Sequence, residues 1–264
     1  MHLTGIGGGG FMLIRAANGT YEFIDFRESA PAASYETMYN SNVNASIFGG
    51  LARCEISKSI FSSGLSFSFS GIPGEIRGLE YLHNKYGSLP WAELIQPAIK
   101  LARHGFKLGS DVAYYIDALG NDELFLSPAW APDFAPNGAR IKVGDIMTRK
   151  RLADTLKVIA DKGADAFYSG SIAQATISAL RADNGIMTLE DLMNYKVICR
   201  KPRSINYRNL RIVSGGAPSG GIVALKILKT LDGYGDTGDP AKLNITTHRL
   251  DEAMRFAYGA VGFK

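Results

Sequence analysis

At 264 residues the chain can form one large or two small domains and is long enough to bury a sizeable core. With 46% apolar and 20% charged residues it has the make-up of an ordinary soluble globular protein. Its net charge of +4 comes without a long basic run interleaved with aromatics, so nucleic-acid binding has little support. Arg149-Lys150-Arg151 is a short basic cluster that reads as a solvated helix start. Cys54 and Cys199 stand far apart in unrelated contexts, which excludes a disulfide framework and a Cys-based zinc motif. No apolar run is long enough to span a bilayer, and Met1–Gly5 shows no signal-peptide pattern. N-x-[ST] tripeptides occur at Asn18, Asn44 and Asn244, each weak evidence by itself.

The clearest local signals lie in Gly5–Pro31, GIGGGGFMLIRAANGTYEFIDFRESAP. Gly7 to Gly10 allow close backbone approach and permit a positive φ. Phe11–Ile14 and Tyr21–Phe26 are β-type runs around Asn18-Gly19, which predicts a hairpin with a connection longer than two residues. Asp25, Arg27 and Glu28 come at the end of the second run, before Ala30-Pro31 stop the ladder. An arginine there, facing a glycine-walled cleft, suits a carboxylate ligand, because its guanidinium fork can take both oxygens. The bland alternative is a surface Arg27 ion-paired with Asp25 or Glu28, and arginines of that kind are the more numerous.

Residues 32–44 are polar and irregular, with Tyr35, Met38 and Tyr39 as anchors. Arg53–Phe69 alternates Ser and Phe and differs in composition from both flanks. From Gly71 the pattern turns helical: Pro73 suits a first turn, and Ile76, Leu79 and Leu82 form an apolar face through Tyr86. A second helix starts at Trp91, shows Leu94, Ala98 and Leu101 on one face, should kink at Pro97 and stops at Gly105. Ser110–Ala118 reads as helix, and Asn121–Gly144, with Pro128, Pro132 and Pro136, as a long loop. Helices follow over Thr148–Asp161 (core Leu152, Leu156, Ile159; C-cap Gly163) and Ala166–Leu180 (Ile172, Ala175, Ala179). Thr188 resembles an N-cap ahead of the acidic pair Glu190-Asp191. Arg208–Ser214 reads as a strand and Gly215–Gly221 as a glycine-rich turn. Ile222–Leu231 and His248–Tyr258 read as helices, the latter with Leu250, Met254 and Ala257 on one side.

Few of these residues form a chemical constellation on their own. Gly215–Gly221, between a strand and a helix, has the placing of a phosphate loop, but neither the lysine nor the glycine spacing of a nucleotide motif. His2, His83, His104 and His248 show no metal-ligand spacing, and solvent or capping roles suit them better than catalysis. Asp25, Glu28 and Asp191 could serve as general acids, but nothing in the sequence pairs them.

GGGGFM followed by IDFRESAP resembles the γ-glutamyltransferase (glutathione hydrolase) family. The blocks PGE…GLEYLHNKYGSLPW…QPAIKLARHGF, GDIMTRKRLADTLKVIADKGADAFYSG, TLEDLMNYKV and YRNLRIVSGGAPSGG follow in family order, so the resemblance covers nearly the whole chain. It implies an α/β fold of the N-terminal-nucleophile hydrolase type, an αββα sandwich, with residues 1–264 as a partial domain from an incomplete large subunit of fungal type. It implies that Arg27 holds the α-carboxylate of the γ-glutamyl group, and that the small subunit, with its attacking threonine, lies outside this chain. Thr246-Thr247-His248 looks like the family's processing site, yet leads into a helix pattern, so a threonine N-cap is the better reading. Glycines 215–221 become a structural turn. Arg53–Phe69 becomes an insertion, since the family runs almost directly from GGLA into SG-[IV]-PGE. The implied activity is cleavage of glutathione and related γ-glutamyl compounds through a γ-glutamyl-threonine ester, passed to water, amino acids or peptides, without metal or organic cofactor. The chain alone is then expected to be inactive, and a secretory route fits the sequons. Two rivals stay open at this level: a truncated product or pseudoenzyme that binds γ-glutamyl ligands without turnover, and a nucleotide-binding α/β domain resting on Gly215–Gly221.

Overall fold

The computed structural model describes residues 5–38, 71–119, 125–182 and 185–262. The expected insertion Arg53–Phe69 lies outside these residues, as do His2, Asn44 and Cys54. In chain order the strands are β1 (Phe11–Arg15), β2 (Tyr21–Asp25), β3 (Phe106–Lys107), β4 (Ile146–Met147), β5 (Ile198–Arg200), β6 (Arg203–Tyr207) and β7 (Leu210–Ser214). The helices are α1 (Glu75–Tyr86), α2 (Trp91–His104), α3 (Ser110–Leu119), α4 (Ala131–Phe134) and α5 (Lys150–Lys162). After them come α6 (Asp165–Tyr168), α7 (Ser171–Ala182), α8 (Leu189–Asn194), α9 (Gly221–Asp232) and α10 (Leu243–Gly262). The chain makes two compact units, Met1–Gly9 with Arg27–Lys196, and Gly10–Phe26 with Val197–Lys264.

The smaller unit is built on the expected hairpin. β1 and β2 pair antiparallel from Phe11↔Asp25 to Arg15↔Tyr21. Asn18 organises the five-residue connection by accepting the Thr20 N–H at 3.0 Å, and Gly19 supplies the φ of +81° that the turn requires. β5 adds to the other side of β2, so β2 is central; its Phe23 and Ile24 are the most deeply buried of the sheet. Asp25 is buried with them, and Arg200 on β5 answers its charge at 2.7 Å. A second hairpin, β6–β7, turns at Arg208-Asn209, both at positive φ, as a two-residue turn of the right twist demands. The sequence reading put Arg208 inside a strand and missed β6, because a polar run such as Arg203–Tyr207 shows little apolar alternation. α9 packs on this hairpin and on α10, with Val223, Leu225 and Leu231 buried on α9 and Ala253 and Ala257 on α10.

The larger unit is mostly helical. α2 and α5 pack side by side, and Ile99, Ala102, Ala153 and Ala160 fill the seam. That corrects the expected face of α2: Leu94 and Leu101 are exposed, and the buried stripe runs through Ile95, Ile99 and Ala102. Both stripes have helical spacing, and the alanines decide between them by letting the two backbones approach. The buried face also differs from the expected one in α7, where Ala173 and Ile177 are buried rather than Ala175 and Ala179. In α10 Ala257 is buried as expected, but together with Ala253, while Leu250 and Met254 are exposed. In α1, Ile76 is buried and Leu79 exposed. The expected helix over Ala166–Leu180 is two helices, broken at Ser169-Gly170.

The stretch from Phe125 to Gly144 is more ordered than its prolines suggest. Phe125 is buried against Trp130 and Phe134, and α4 forms among these rings. Arg149 and Arg151, expected to be solvated, both meet the buried Asp133, at 3.6 and 3.2 Å. The basic cluster therefore ties the start of α5 to α4.

The N-terminus of α1 has no side-chain cap and is satisfied from elsewhere in the unit. The Gly8 carbonyl accepts the N–H groups of Gly74 and Glu75, each at 2.9 Å. The Tyr168 hydroxyl accepts the Arg77 N–H at 3.2 Å and donates to the Pro73 carbonyl at 2.9 Å. Tyr168 is fully buried, and that burial pushes its phenol well above the usual range, so it stays a neutral donor. Tyr168→Phe keeps the ring but strands both backbone partners. It is expected to cost about 1–3 kcal/mol, read as a lower denaturation midpoint, and an unchanged midpoint would show the two bonds to be idle.

Candidate functional site

The site is assembled from short segments of the larger unit: the glycines up to Gly9, Arg27–Ala32, Gly71–Glu75, and the turn that holds α8. Ser29 and Ile72 form a β-bridge, with Ile72 N–H to Ser29 O at 2.8 Å and Ser29 N–H to Ile72 O at 3.3 Å. At Gly71 only glycine lets these segments meet, since a Cβ there would lie 2.8 Å from the Cβ of Glu28. Positive φ, by contrast, is not what the four glycines are for: none of Gly7–Gly10 adopts it. Gly8 instead contributes its carbonyl to the start of α1.

Arg27 emerges from this frame with its side chain 46% exposed, its Nε 3.1 Å from a carboxylate oxygen of the mostly buried Glu28. The ion pair of the bland reading therefore exists. It engages the Nε edge of the guanidinium and leaves nearly half of the side-chain surface toward solvent. Glu75, in the first turn of α1, has its carboxyl pushed upward, first by burial and then by the negative charge of Glu28. Glu28 thus pairs with the Arg27 guanidinium and also acts through its charge on the Glu75 carboxyl.

The backbone of this segment is held from a distant part of the chain. Tyr195, at the end of α8, donates its hydroxyl to the Arg27 carbonyl at 2.8 Å. Asp191 accepts the Ala32 N–H at 2.9 Å while completing a capping box with Thr188. Burial alone would raise the Asp191 carboxyl, but hydrogen bonds from Ala32 and from the Thr188 hydroxyl and N–H outweigh it and hold the group below its ordinary value. Glu75 and Tyr195 had been given no role from sequence. Tyr195 lies 168 residues from Arg27, and no local pattern reports such a contact.

The other candidates take structural positions. Asp25 is paired with Arg200, and Asp191 is a cap, so neither is poised as a general acid. His83 Nε2 lies 2.8 Å from the Leu89 carbonyl with its ring edge-on to Trp91, and His104 closes α2. Thr246 and Thr247 are not N-caps, which corrects the sequence reading: α10 begins at Leu243, led in by a 3₁₀ turn that Asp239 caps. The Thr247 hydroxyl donates to the Leu243 carbonyl at 2.9 Å, within the helix. Neither threonine is presented as a nucleophile.

The glycine-rich turn before α9 is a packing device. A Cβ on Gly215 would lie 2.5 Å from the Phe23 ring and 2.6 Å from the Ser219 hydroxyl. Three of the amides at the start of α9 are engaged within the turn, with Gly221 N–H on the Ser219 hydroxyl and Val223 and Ala224 N–H on the Gly220 carbonyl. Gly215→Ala is expected to overpack the turn and cost about 1–3 kcal/mol. A melting temperature unchanged by the added methyl would count against this reading.

The profile of the family described as Gamma-glutamyltranspeptidase matches residues 1–262. The chain is 52% identical to the glutathione hydrolase proenzyme of Arthroderma benhamiae, over 98% of this chain and 42% of that one. It is 48% identical to the glutathione hydrolase of Aspergillus flavus, over 98% of this chain and 41% of that one. It therefore spans about two fifths of the length of these relatives. Among solved structures it resembles the gamma-glutamyltranspeptidase of Helicobacter pylori, with a TM-score of 0.80 at 32% identity, covering 96% of this chain and 69% of that one. The Bacillus anthracis transpeptidase CapD gives a TM-score of 0.72 at 31% identity, over 98% of this chain and 77% of that one. The fold class is accordingly the α/β class of the N-terminal-nucleophile hydrolases, as the motifs implied. On sequence and on structure, this chain belongs to the gamma-glutamyltranspeptidase family.

Proposed function

We propose that the protein containing these residues is a γ-glutamyltransferase and glutathione hydrolase, and that this chain is its large-subunit part. The observation that carries the reading is Arg27: a half-exposed side chain in the DFRE block, on a backbone held by the Tyr195 hydroxyl and the Ser29–Ile72 bridge. Its planar fork takes both oxygens of an α-carboxylate and so selects the glutamyl end of the donor. Holding that end places the γ-carbonyl for attack, which turns a bimolecular encounter into a positioned one.

The attacking threonine is proposed to come from the small subunit, outside these 264 residues, in keeping with the length of the relatives. Its own α-amine takes the hydroxyl proton as the oxygen bonds to the γ-carbonyl carbon. The amide nitrogen leaves with a proton, giving an ester between threonine and the γ-glutamyl group. Water resolves that ester to glutamate, or an amino acid or peptide amine resolves it to a new γ-glutamyl amide. No step requires a metal or organic cofactor.

The test is the full-length protein from the source, assayed with γ-glutamyl-p-nitroanilide with and without a dipeptide acceptor. Release of p-nitroaniline that the acceptor accelerates is expected; a folded, processed protein without turnover overturns the proposal. Arg53–Phe69 is proposed as an insertion that arises by intron read-through, and a spliced message that still encodes it would remove that reading.

A further inference from the structure

We infer that Tyr195 is a positioning residue for Arg27, fixing the backbone from which the guanidinium reaches its ligand. The inference rests on the proposed role of Arg27 and adds a residue that the motif does not contain.

Arg27 has a long side chain, so the place of its fork in space depends on where its own main chain is held. Two residues on, Ser29 is held by its bridge to Ile72. The Arg27 carbonyl itself is held by the Tyr195 hydroxyl at 2.8 Å. Tyr195 is suited to this by being immobile: it is 8% exposed, belongs to the main apolar cluster, and stacks on Tyr168 with ring centroids 6.0 Å apart and planes 12° from parallel. Tyr168 is in turn bonded to Pro73 and Arg77 at the start of α1. The two tyrosines thus link the carbonyl of Arg27 to the helix terminus that carries Glu75. Below the same segment, Asp191 fixes Ala32. Tyr195 acts through Arg27, whose carbonyl it holds.

The test uses the full-length enzyme and the variants Tyr195→Phe, Arg27→Lys and the two combined. Tyr195→Phe keeps the ring and its stack, and its melting temperature reports whether the fold is kept. Loss of one hydrogen bond that orients the arginine is expected to raise KM for γ-glutamyl-p-nitroanilide roughly three- to tenfold, with kcat within about twofold. In the Arg27→Lys background the same change should add nothing further, because the group it orients is gone. Inhibition by glutamate should weaken by the same factor, while inhibition by 4-aminobutyrate, which lacks the α-carboxylate, should not move. Tyr195→4-aminophenylalanine retains a donor on the same ring and should restore KM. An unchanged KM in folded Tyr195→Phe, or an effect that multiplies in full with Arg27→Lys, overturns the inference while leaving the role of Arg27 standing. A normal KM in Arg27→Lys alone removes that role, and the inference with it.

Discussion

Arg27→Lys is expected to lower kcat/KM for γ-glutamyl donors by about 10- to 100-fold in the full-length enzyme, chiefly through KM. The charge survives the change, so simple electrostatic attraction is not what is being removed. What goes is the fork: lysine offers a compact ammonium that can face one carboxylate oxygen well but cannot match two at fixed spacing. A charge-assisted, bidentate contact is among the stronger hydrogen-bonded interactions, which is why the expected loss is larger than for an ordinary polar substitution. The fold should barely respond. Arg27 is half exposed, and lysine keeps a positive charge beside the Glu28 carboxylate, so the charge balance at this position is preserved. The diagnostic result is therefore a split, with KM far higher and the melting temperature within a few degrees. A variant with near-normal KM and kcat would reduce Arg27 to the surface ion pair of the bland reading.

The hairpin, the stops at Gly105 and Gly163 and the Thr188 cap were legible in the sequence because each is a local rule. Asn18-Gly19 needs only its neighbours to make a turn, and Gly105 and Gly163 take their positive φ at the ends of α2 and α5. What escaped was decided by partners far along the chain. Leu94 and Leu101 looked like a core face until Ala153 and Ala160 offered α2 a closer fit on its other side. Thr246 looked like a cap because the residues after it are helical, but Asp239 and the 3₁₀ turn had started the helix earlier. The solvated basic cluster at Arg149–Arg151 was a reading of charge without knowledge of Asp133. At the site the same division holds. The motif around position 27 implied a carboxylate ligand, whereas the contacts that hold its segment, from Tyr195 and Asp191, are long-range.

Asp191→Asn is expected to be the most destabilising of these single changes, by about 2–3 kcal/mol near neutral pH. A buried carboxylate that accepts three hydrogen bonds is replaced by an amide that can accept with one atom only, while its NH₂ is turned against N–H and O–H donors. Both the N-cap of α8 and the tether on Ala32 weaken together. The charge leaves a second signature. Because the folded-state value of the Asp191 carboxyl is held below the unfolded one, its contribution to stability is fully present above the unfolded value of about 4. It is lost as pH falls through the lower, folded value. Asparagine has no such titration, so the gap in melting temperature between parent and variant should be wide at pH 7 and narrow as the pH falls below about 4. Melting curves of the two proteins across that range make the comparison. A gap that stays constant would mean that the fold uses the shape of this side chain and not its charge. A gap that closes ties acid sensitivity of the arginine segment to one buried carboxylate. In that case KM for γ-glutamyl donors should rise in Asp191→Asn even at neutral pH, because the tether at Ala32 lies five residues from Arg27 in the segment that presents it.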